Sequence, residues 1–503
     1  MENCMMKRMC AAIICLGALL MGCSYNDNSK ENIMNQREDT IAFTFNPSVQ
    51  YQIIESFGTS GCWWSQYVGG WDKEYKDTGR SVRDEIAMLL FDKEYGIGLT
   101  CYRYNVGAGS ADSKRGTYWD THRRAESFET APGVYDWNKD DNAVWFMKKA
   151  VELGVQEVVL FSNSPPERLT INGMAQVSAG EKKNILPENY DDFAVYVMDV
   201  AEHFVGEGVP VKFISPINEP QWDWFEGQEG CHYEPSKIAK VYRAFLEELE
   251  SRPALSGVSL SGPESGEWKE DAVAYTSAIL NDTVLNSHFD TIDNHSYWSD
   301  TASKAAYKRW IDANFPNVKL RMSEWCEMVN GSDVTMDSAF HLAEVLVEDL
   351  TVLDVVSWQN WVGVAPGGYR DGLIYINEEQ KTLNPIKRLW GYGNYSRFIR
   401  PGYQRIAVSG SSEEADAFRP VAFVGTNDNG GEELVLVLIN EGNENRKVVL
   451  DNQNGLEYTN MRIYETSEEY DLRCIRNEVY NQGSVIDINK QSITTIILSG
   501  VDD

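Results

Sequence analysis

Between about residues 55 and 395, eight short apolar or β-branched runs alternate with longer amphipathic stretches, a pattern that restricts the chain to a parallel sheet wrapped by helices. The runs are Glu55 to Trp63, Leu99 to Asn105, Glu157 to Asn163, Val211 to Asn218, Val258 to Pro263, Thr291 to Tyr297, Val318 to Glu324 and Val355 to Asn360. The stretches between them carry the helical period. Phe193, Tyr196, Val197, Val200, Ala201 and Phe204 fall on one face, as do Ala143, Phe146, Met147, Ala150 and Val151. Eight such units specify an α/β chain folded as a (β/α)8 barrel. A doubly wound sheet is the structural competitor, but no strand leads into a full G-x-G-x-x-G or a phosphate loop.

After Pro401 the pattern changes to strands separated by Asn/Gly turns, as in Glu433 to Asn440, Arg446 to Leu450, Arg462 to Glu465 and Ser492 to Leu498. The alternating run Ile41, Phe43, Phe45, then Val49, Tyr51, Ile53, has no helix after it and is expected to pair with that sheet. The expected organisation is a leader over 1–22, a flexible tether over 23–40, N-terminal strand(s) over 41–54, a catalytic barrel over 55–400 and a β-sandwich over 401–503. With 503 residues, 43% of them apolar, the chain is long enough to bury a large core beside a smaller one.

The leader has a basic start at Lys7 and Arg8 and an apolar stretch, Ala11 to Met21, too short to span a bilayer comfortably. It ends in Leu20-Met21-Gly22-Cys23, similar to a bacterial lipobox, which makes Cys23 the expected lipid attachment site. The protein is then exported and held at a bacterial membrane, the outer one being favoured, facing the periplasm or the cell surface. An ordinary cleaved signal, or a start at Met5 or Met6, is the other reading of the same residues.

Four of the nine cysteines, Cys4, Cys10, Cys15 and Cys23, lie in the leader or immediately after it, and the five others, Cys62, Cys101, Cys231, Cys326 and Cys474, cannot all pair. Cys231 with Cys326 is the candidate disulfide, because both follow strands placed near the site. The cysteines fit no zinc spacing and the six histidines form no close ligand pair, so neither metal nor cofactor is expected. A formal charge of −31 repels phosphate backbones and anionic lipid surfaces. A neutral or cationic ligand suits such a chain better than nucleic acid; the membrane is touched only through Cys23, and the protein is read as a monomer.

Reactive groups of such barrels sit at the C-terminal ends of the strands. Here those ends read Ser60-Gly61-Cys62-Trp63-Trp64, Arg103-Tyr104-Asn105, Ser162-Asn163-Ser164-Pro165-Pro166, Asn218-Glu219-Pro220, Asn294-His295-Ser296-Tyr297-Trp298, Ser323-Glu324-Trp325 and Trp358-Gln359-Asn360-Trp361. Glycoside hydrolysis needs one protonated carboxyl to donate to the leaving oxygen and one ionised carboxylate to attack or to activate water. Glu219 and Glu324 supply the pair from strands four and seven, which face each other across the mouth at about the 5 to 5.5 Å that a retaining mechanism requires. Arg103 is placed to keep Glu324 ionised, and Asn218 to bind the sugar 2-hydroxyl and position Glu219.

Ile217-Asn218-Glu219-Pro220 followed by Ser323-Glu324-Trp325, together with Phe57-Gly58 to Trp63-Trp64, Arg103-Tyr104-Asn105, Phe161 to Pro166 and the Ser-Arg-Phe-Ile-Arg-Pro-Gly stretch Ser396 to Gly402, resembles glycoside hydrolase family 30. The resemblance covers essentially the whole chain after the leader. It implies a barrel joined to a β-sandwich built partly from the N-terminal strand, with Glu219 as acid/base and Glu324 as nucleophile. Phe161 to Pro166 and Gly227 to Cys231 look most like the endo-β-1,6-galactanase branch. One departure is Glu167-Arg168-Leu169 where apolar or aromatic residues are expected, a change of charge that bears on which glycan is cleaved.

Asn163 and Asn294 either bind sugar hydroxyls or satisfy loop backbone. Tyr297 is expected to hydrogen-bond Glu324, and His295 to line the wall of the site. Trp222, Trp298 and Trp358 are candidate stacking platforms. Glu229, Glu264 and Glu327 are acidic neighbours not assigned to chemistry. The reading is a retaining endo-acting enzyme on β-1,6-galactan side chains of arabinogalactan-type glycans. A β-1,6-glucanase, β-xylosidase or glucosylceramidase of the same family is the alternative within the class, and an inactive glycan-binding lipoprotein the alternative outside it.

Overall fold

The computed structural model describes residues 40–113, 120–452 and 458–500. The expected leader, Cys23 and nearly all of the tether lie outside the described residues. Among the described residues no helix is long and apolar enough to cross a membrane.

Eight parallel strands form the barrel: Ser56–Ser60, Cys101–Asn105, Glu157–Phe161, Val211–Ser215, a fifth in two pieces, Thr291–His295, Lys319–Trp325 and Ser357–Ala365. The fifth run ends differently from the sequence expectation. Ser259–Leu260 pairs with strand four, Pro263–Ser265 pairs with strand six, and Ser261 and Gly262 carry the chain between them. Closure is continuous all the same, since Ser261 N–H donates to the Ile214 carbonyl at 2.9 Å and Gly262 O accepts from Asp293 N at 3.0 Å. Gly262 has φ 135°, and a Cβ there would meet the Tyr242 hydroxyl oxygen at 1.8 Å, so only glycine fits the step.

The helices bury the faces their periodicity marks. In Tyr190–Gly206 these are Phe193, Tyr196, Val197, Val200, Ala201 and Phe204, and in Asp141–Glu152 they are Ala143, Phe146, Met147 and Ala150. Inside the barrel the usual layers of branched aliphatics give way to charge. Arg321 is fully buried, paired with Glu157 and with Asp293 at 3.3 Å, and lies over the Phe213 ring at 4.1 Å. The next layer towards the mouth holds Arg103.

The second sheet has nine strands in the order Arg473–Val479, Asn460–Ser467, Ser492–Ser499, Glu432–Asn440, Val421–Thr426, Gln404–Gly410, Thr40–Ile53, Arg446–Asn452, Val485–Ile488. The N-terminal strand pairs antiparallel with Gln404–Gly410. Strand Glu432–Asn440 is apolar on both faces for a reason. Leu434, Leu436 and Leu438 meet Phe43, Phe45, Val448, Ile486 and Ile496 in a core of the sheet's own, whereas Val435, Val437 and Ile439 join the barrel core with Val421, Phe423, Ile493 and Ile497.

These seven side chains facing the barrel are each worth about 1.5–3 kcal/mol on full burial, roughly the whole stability of a domain. A chain ending near residue 400 is therefore expected to aggregate and to bind a hydrophobic dye; a soluble, fully active truncation would contradict this packing.

Candidate active site

Arg103 rises from strand two into the barrel mouth with no exposed surface, its guanidinium 3.7 Å from the Phe161 ring centroid. Nη1 donates to Glu324 Oε2 at 2.7 Å and Nη2 to Asn218 Oδ1 at 2.9 Å, with Glu264 Oε2 3.3 Å away. The second Glu324 oxygen accepts from the Tyr297 hydroxyl at 3.0 Å. Strands six and seven set this up, because their register places His295 opposite Glu324 after a shift of one residue at Asn294.

Glu219 follows strand four and adopts left-handed backbone (φ 42°), as do Glu264 (61°) and Trp298 (48°) around the same mouth. Its N–H donates to the Glu264 carbonyl at 2.9 Å and its carbonyl accepts from Trp224 Nε1 at 2.9 Å, so the backbone is tied on both sides. Oε1 lies 3.1 Å from His295 Nδ1, while Oε2 has no hydrogen-bond partner among the described residues. A Cβ on Gly266 would sit 2.8 Å from Oε1, so glycine leaves the carboxyl its room. One oxygen each of Glu219 and Glu324 and a ring nitrogen of His295 lie within 4.8 Å of one another.

The mouth holds three carboxyls (Glu219, Glu264, Glu324) and two basic groups (Arg103, His295). Burial works against the His295 charge, but Glu324, Glu219 and Glu264 outweigh it and raise the imidazole to about 10. Burial also works to raise Glu264, yet Arg103, His295 and Ser323 hold it down at about 2. Burial pushes the Glu324 carboxyl up, opposed by the charges of His295 and Arg103 and reinforced by Glu219. One negative charge is thus in surplus at the mouth. Glu219, His295 and Glu324 have metal-like spacing, but His295 spends both nitrogens on carboxylates and Arg103 occupies Glu324, so the donor set does not suit a cation.

Glu219 and Glu324 line a cleft of ≈ 430 Å³. Trp222 and Trp298 stand at its rim, 42% and 53% exposed, edge to face at 5.7 Å. A second aromatic pair, Trp63 and Trp361, meets at 5.3 Å, with the Arg123 guanidinium over Trp63. Asp371 completes this wall; burial raises its carboxyl to about 6.

Several sequence expectations are corrected. Trp358 is fully buried and cannot stack on a sugar: it points outward from strand eight, packs 5.1 Å from Tyr392 and donates Nε1 to Asp349 at 2.9 Å. Trp361 holds the place in the cleft. Cys231 and Cys326 are buried free thiols and form no disulfide. Of the two readings for Asn294, the backbone one matches its bond from the Ser265 N–H, while Asn163 donates to Asn105 and accepts from Asn218. Glu167 and Arg168 line a neighbouring recess, where Arg168 grips Glu129 through two bonds, and are absent from the lining of the glutamate cleft.

Glu229 binds the backbone N–H groups of Ala108 and Ser110, and Glu327 pairs with Arg370 and Arg388; both are structural. Glu264, the third acidic neighbour, sits at the centre of the site. The split of strand five brings it there, and the only available signal was its position just past Gly262-Pro263.

Residues 40–375 match O-glycosyl hydrolase family 30. The chain is 27% identical over 434 residues to an endo-beta-1,6-galactanase of Hypocrea rufa, spanning 81% of this chain and 82% of that protein. It is 24% identical over 386 residues to a glucuronoxylanase of Bacillus subtilis (strain 168), spanning 72% and 78%. The crystal structure of a conserved exported protein from Bacteroides fragilis superposes with a TM-score of 0.79 at 25% identity, over 91% of this chain and all of that one. With the family match extending over most of the barrel, this chain is a glycosidase and belongs to O-glycosyl hydrolase family 30.

Proposed function

We propose that the protein is a retaining, endo-acting β-glycosidase in which Glu219 is the acid/base and Glu324 the nucleophile. The observation that carries this reading is the asymmetry of the two carboxyls. Both Glu324 oxygens accept bonds from groups that only donate towards them, Arg103 and Tyr297, which favours the ionised form. Glu219 keeps Oε2 clear of partners among the described residues, which leaves that oxygen free to donate a proton to the glycosidic oxygen. Oxygen separation within 4.8 Å supports direct attack; an inverting pair, about 6.5–9.5 Å apart, leaves room for water.

Glu324 attacks the anomeric carbon as Glu219 gives its proton to the glycosidic oxygen, which departs with the bonding pair. A water molecule that loses a proton to Glu219 then attacks the same carbon and frees Glu324. Arg103 and Tyr297 hold the nucleophile on line. Asn218 uses Oδ1 for Arg103 and one amide hydrogen for Asn163, which leaves the other for the sugar 2-hydroxyl. Trp222 and Trp298, on the Glu219 side, provide aromatic faces for the leaving portion of the glycan.

The proposed substrate is β-1,6-galactan, supported by the galactanase relative. β-1,6-glucan and xylan are the alternatives within the family. Export is supported by the leader sequence and by the Bacteroides fragilis relative, and lipid attachment at Cys23 by the lipobox alone.

Reducing-sugar release is expected to be highest on β-1,6-galactan among galactan, pustulan and glucuronoxylan; inertness on galactan would remove that substrate. Glu324→Gln is expected to lower turnover by roughly 10³-fold or more while glycan binding, followed by calorimetry, is kept. Unchanged turnover would displace Glu324 from its role, and a wild-type protein that binds glycans without cleaving any would favour the inactive binding lipoprotein.

A further inference from the structure

Glu264 has no part in the two-carboxyl scheme, yet it is the most heavily engaged acid of the site. It is fully buried, and its carboxylate accepts from Ser215 at 2.9 Å, from His295 Nε2 at 3.0 Å and from the Ser323 hydroxyl, with Arg103 Nη2 at 3.3 Å. We propose that Glu264 is a positioning residue whose carboxylate clamps His295 and Arg103 and through them sets where Glu219 and Glu324 point. The inference rests on the acid/base and nucleophile roles given above.

The geometry makes the clamp rigid. An imidazole has two ring nitrogens at a fixed angle; with Nε2 on Glu264 and Nδ1 on Glu219, the ring cannot turn without breaking one bond. Arg103 is fixed in the same way, with Nη1 on Glu324 and Nη2 between Asn218 and Glu264. Glu264 is anchored by two hydroxyls and by its own left-handed backbone, whose carbonyl also receives the Glu219 N–H. One side chain therefore touches both arms of the catalytic pair.

The charges facing His295 are Glu219 from the segment after strand four, Glu264 from strand five and Glu324 from strand seven; Arg103 on strand two faces the same carboxylates. Below Glu264 lie Asp293, raised to about 8 by burial, and Tyr242, raised by burial and by Glu264. Removing one negative charge from such a cluster lowers the proton affinity of every group that remains. His295, whose proton Glu264 helps to hold, then loses it at lower pH, and the alkaline limb of the activity profile moves downward with the loss of the charged clamp.

The test is kinetics of full-length Glu264→Gln and Glu264→Asp on whichever of the three glycans the wild type cleaves. Glu264→Gln is expected to lower kcat by about 10- to 100-fold with KM within about threefold, and to shift the alkaline limb down by about one pH unit. Glu264→Asp is expected to recover part of the rate and the wild-type limb. A Glu264→Gln enzyme with unchanged kcat and limb would overturn the proposal.

A second measurement needs no turnover and guards against a variant that fails to fold. In the wild type, the ¹⁵N imidazole signals of His295, assigned by their loss in His295→Gln, are expected to report both nitrogens protonated at pH 8. A neutral ring at pH 8 would overturn the clamp. Failure of the functional reading is seen separately, as a wild type without hydrolysis or a Glu324→Gln enzyme that still turns over.

Discussion

Two guanidiniums buried inside the barrel govern the rest of this structure. A charge taken out of water is tolerated only when fully paired and hydrogen-bonded. Arg321 meets that demand with Glu157 and Asp293 in the lower layer, and Arg103 with Glu324, Glu264 and Asn218 at the mouth. Each rests on an aromatic face, Phe213 or Phe161, which a flat, weakly hydrated cation accepts readily. A barrel core of this kind is a scaffold for orienting carboxylates. The Glu219 and Glu324 carboxyls are the uppermost part of a charge network that continues below them.

The barrel was legible because eight runs and their helical intervals carry a period that few other folds share. That Glu219 and Glu324 share one mouth was legible because both sit at the ends of facing strands, and Arg103 was legible as their neighbour because strand two opens on the same mouth. Glu264 was obscured by the step at Gly262, which divides one strand into two and turns a residue beyond the expected strand end into the mouth. Trp358 was misread by proximity. Ser357 points inward, where its hydroxyl meets Ser56, so Trp358 must point towards the helices; alternation along the strand contained that information. Arg123 comes from a single 3-10 turn and Asp371 from a loop, where sequence pattern carries least. Cys231 and Cys326 both follow strands near the site, yet strand order alone does not bring two sulfurs into bonding geometry.

The second sheet is more than an appendage, since it gives one face to its own core and the other to the barrel. Membership of O-glycosyl hydrolase family 30 fits the whole arrangement and fixes the class of reaction, while the choice of sugar depends on the cleft walls. Those walls are two tryptophan pairs with Arg123 and Asp371, and the charged Glu167-Arg168 segment belongs to the adjoining recess.

The central claim is that Glu324 attacks the sugar directly, from a pair of carboxyls closer together than an inverting pair. Following the first product by ¹H NMR during cleavage of a β-linked glycan tests it most directly. The account requires the β anomer to appear first and the α anomer to grow in only by mutarotation. Initial release of the α anomer would contradict it.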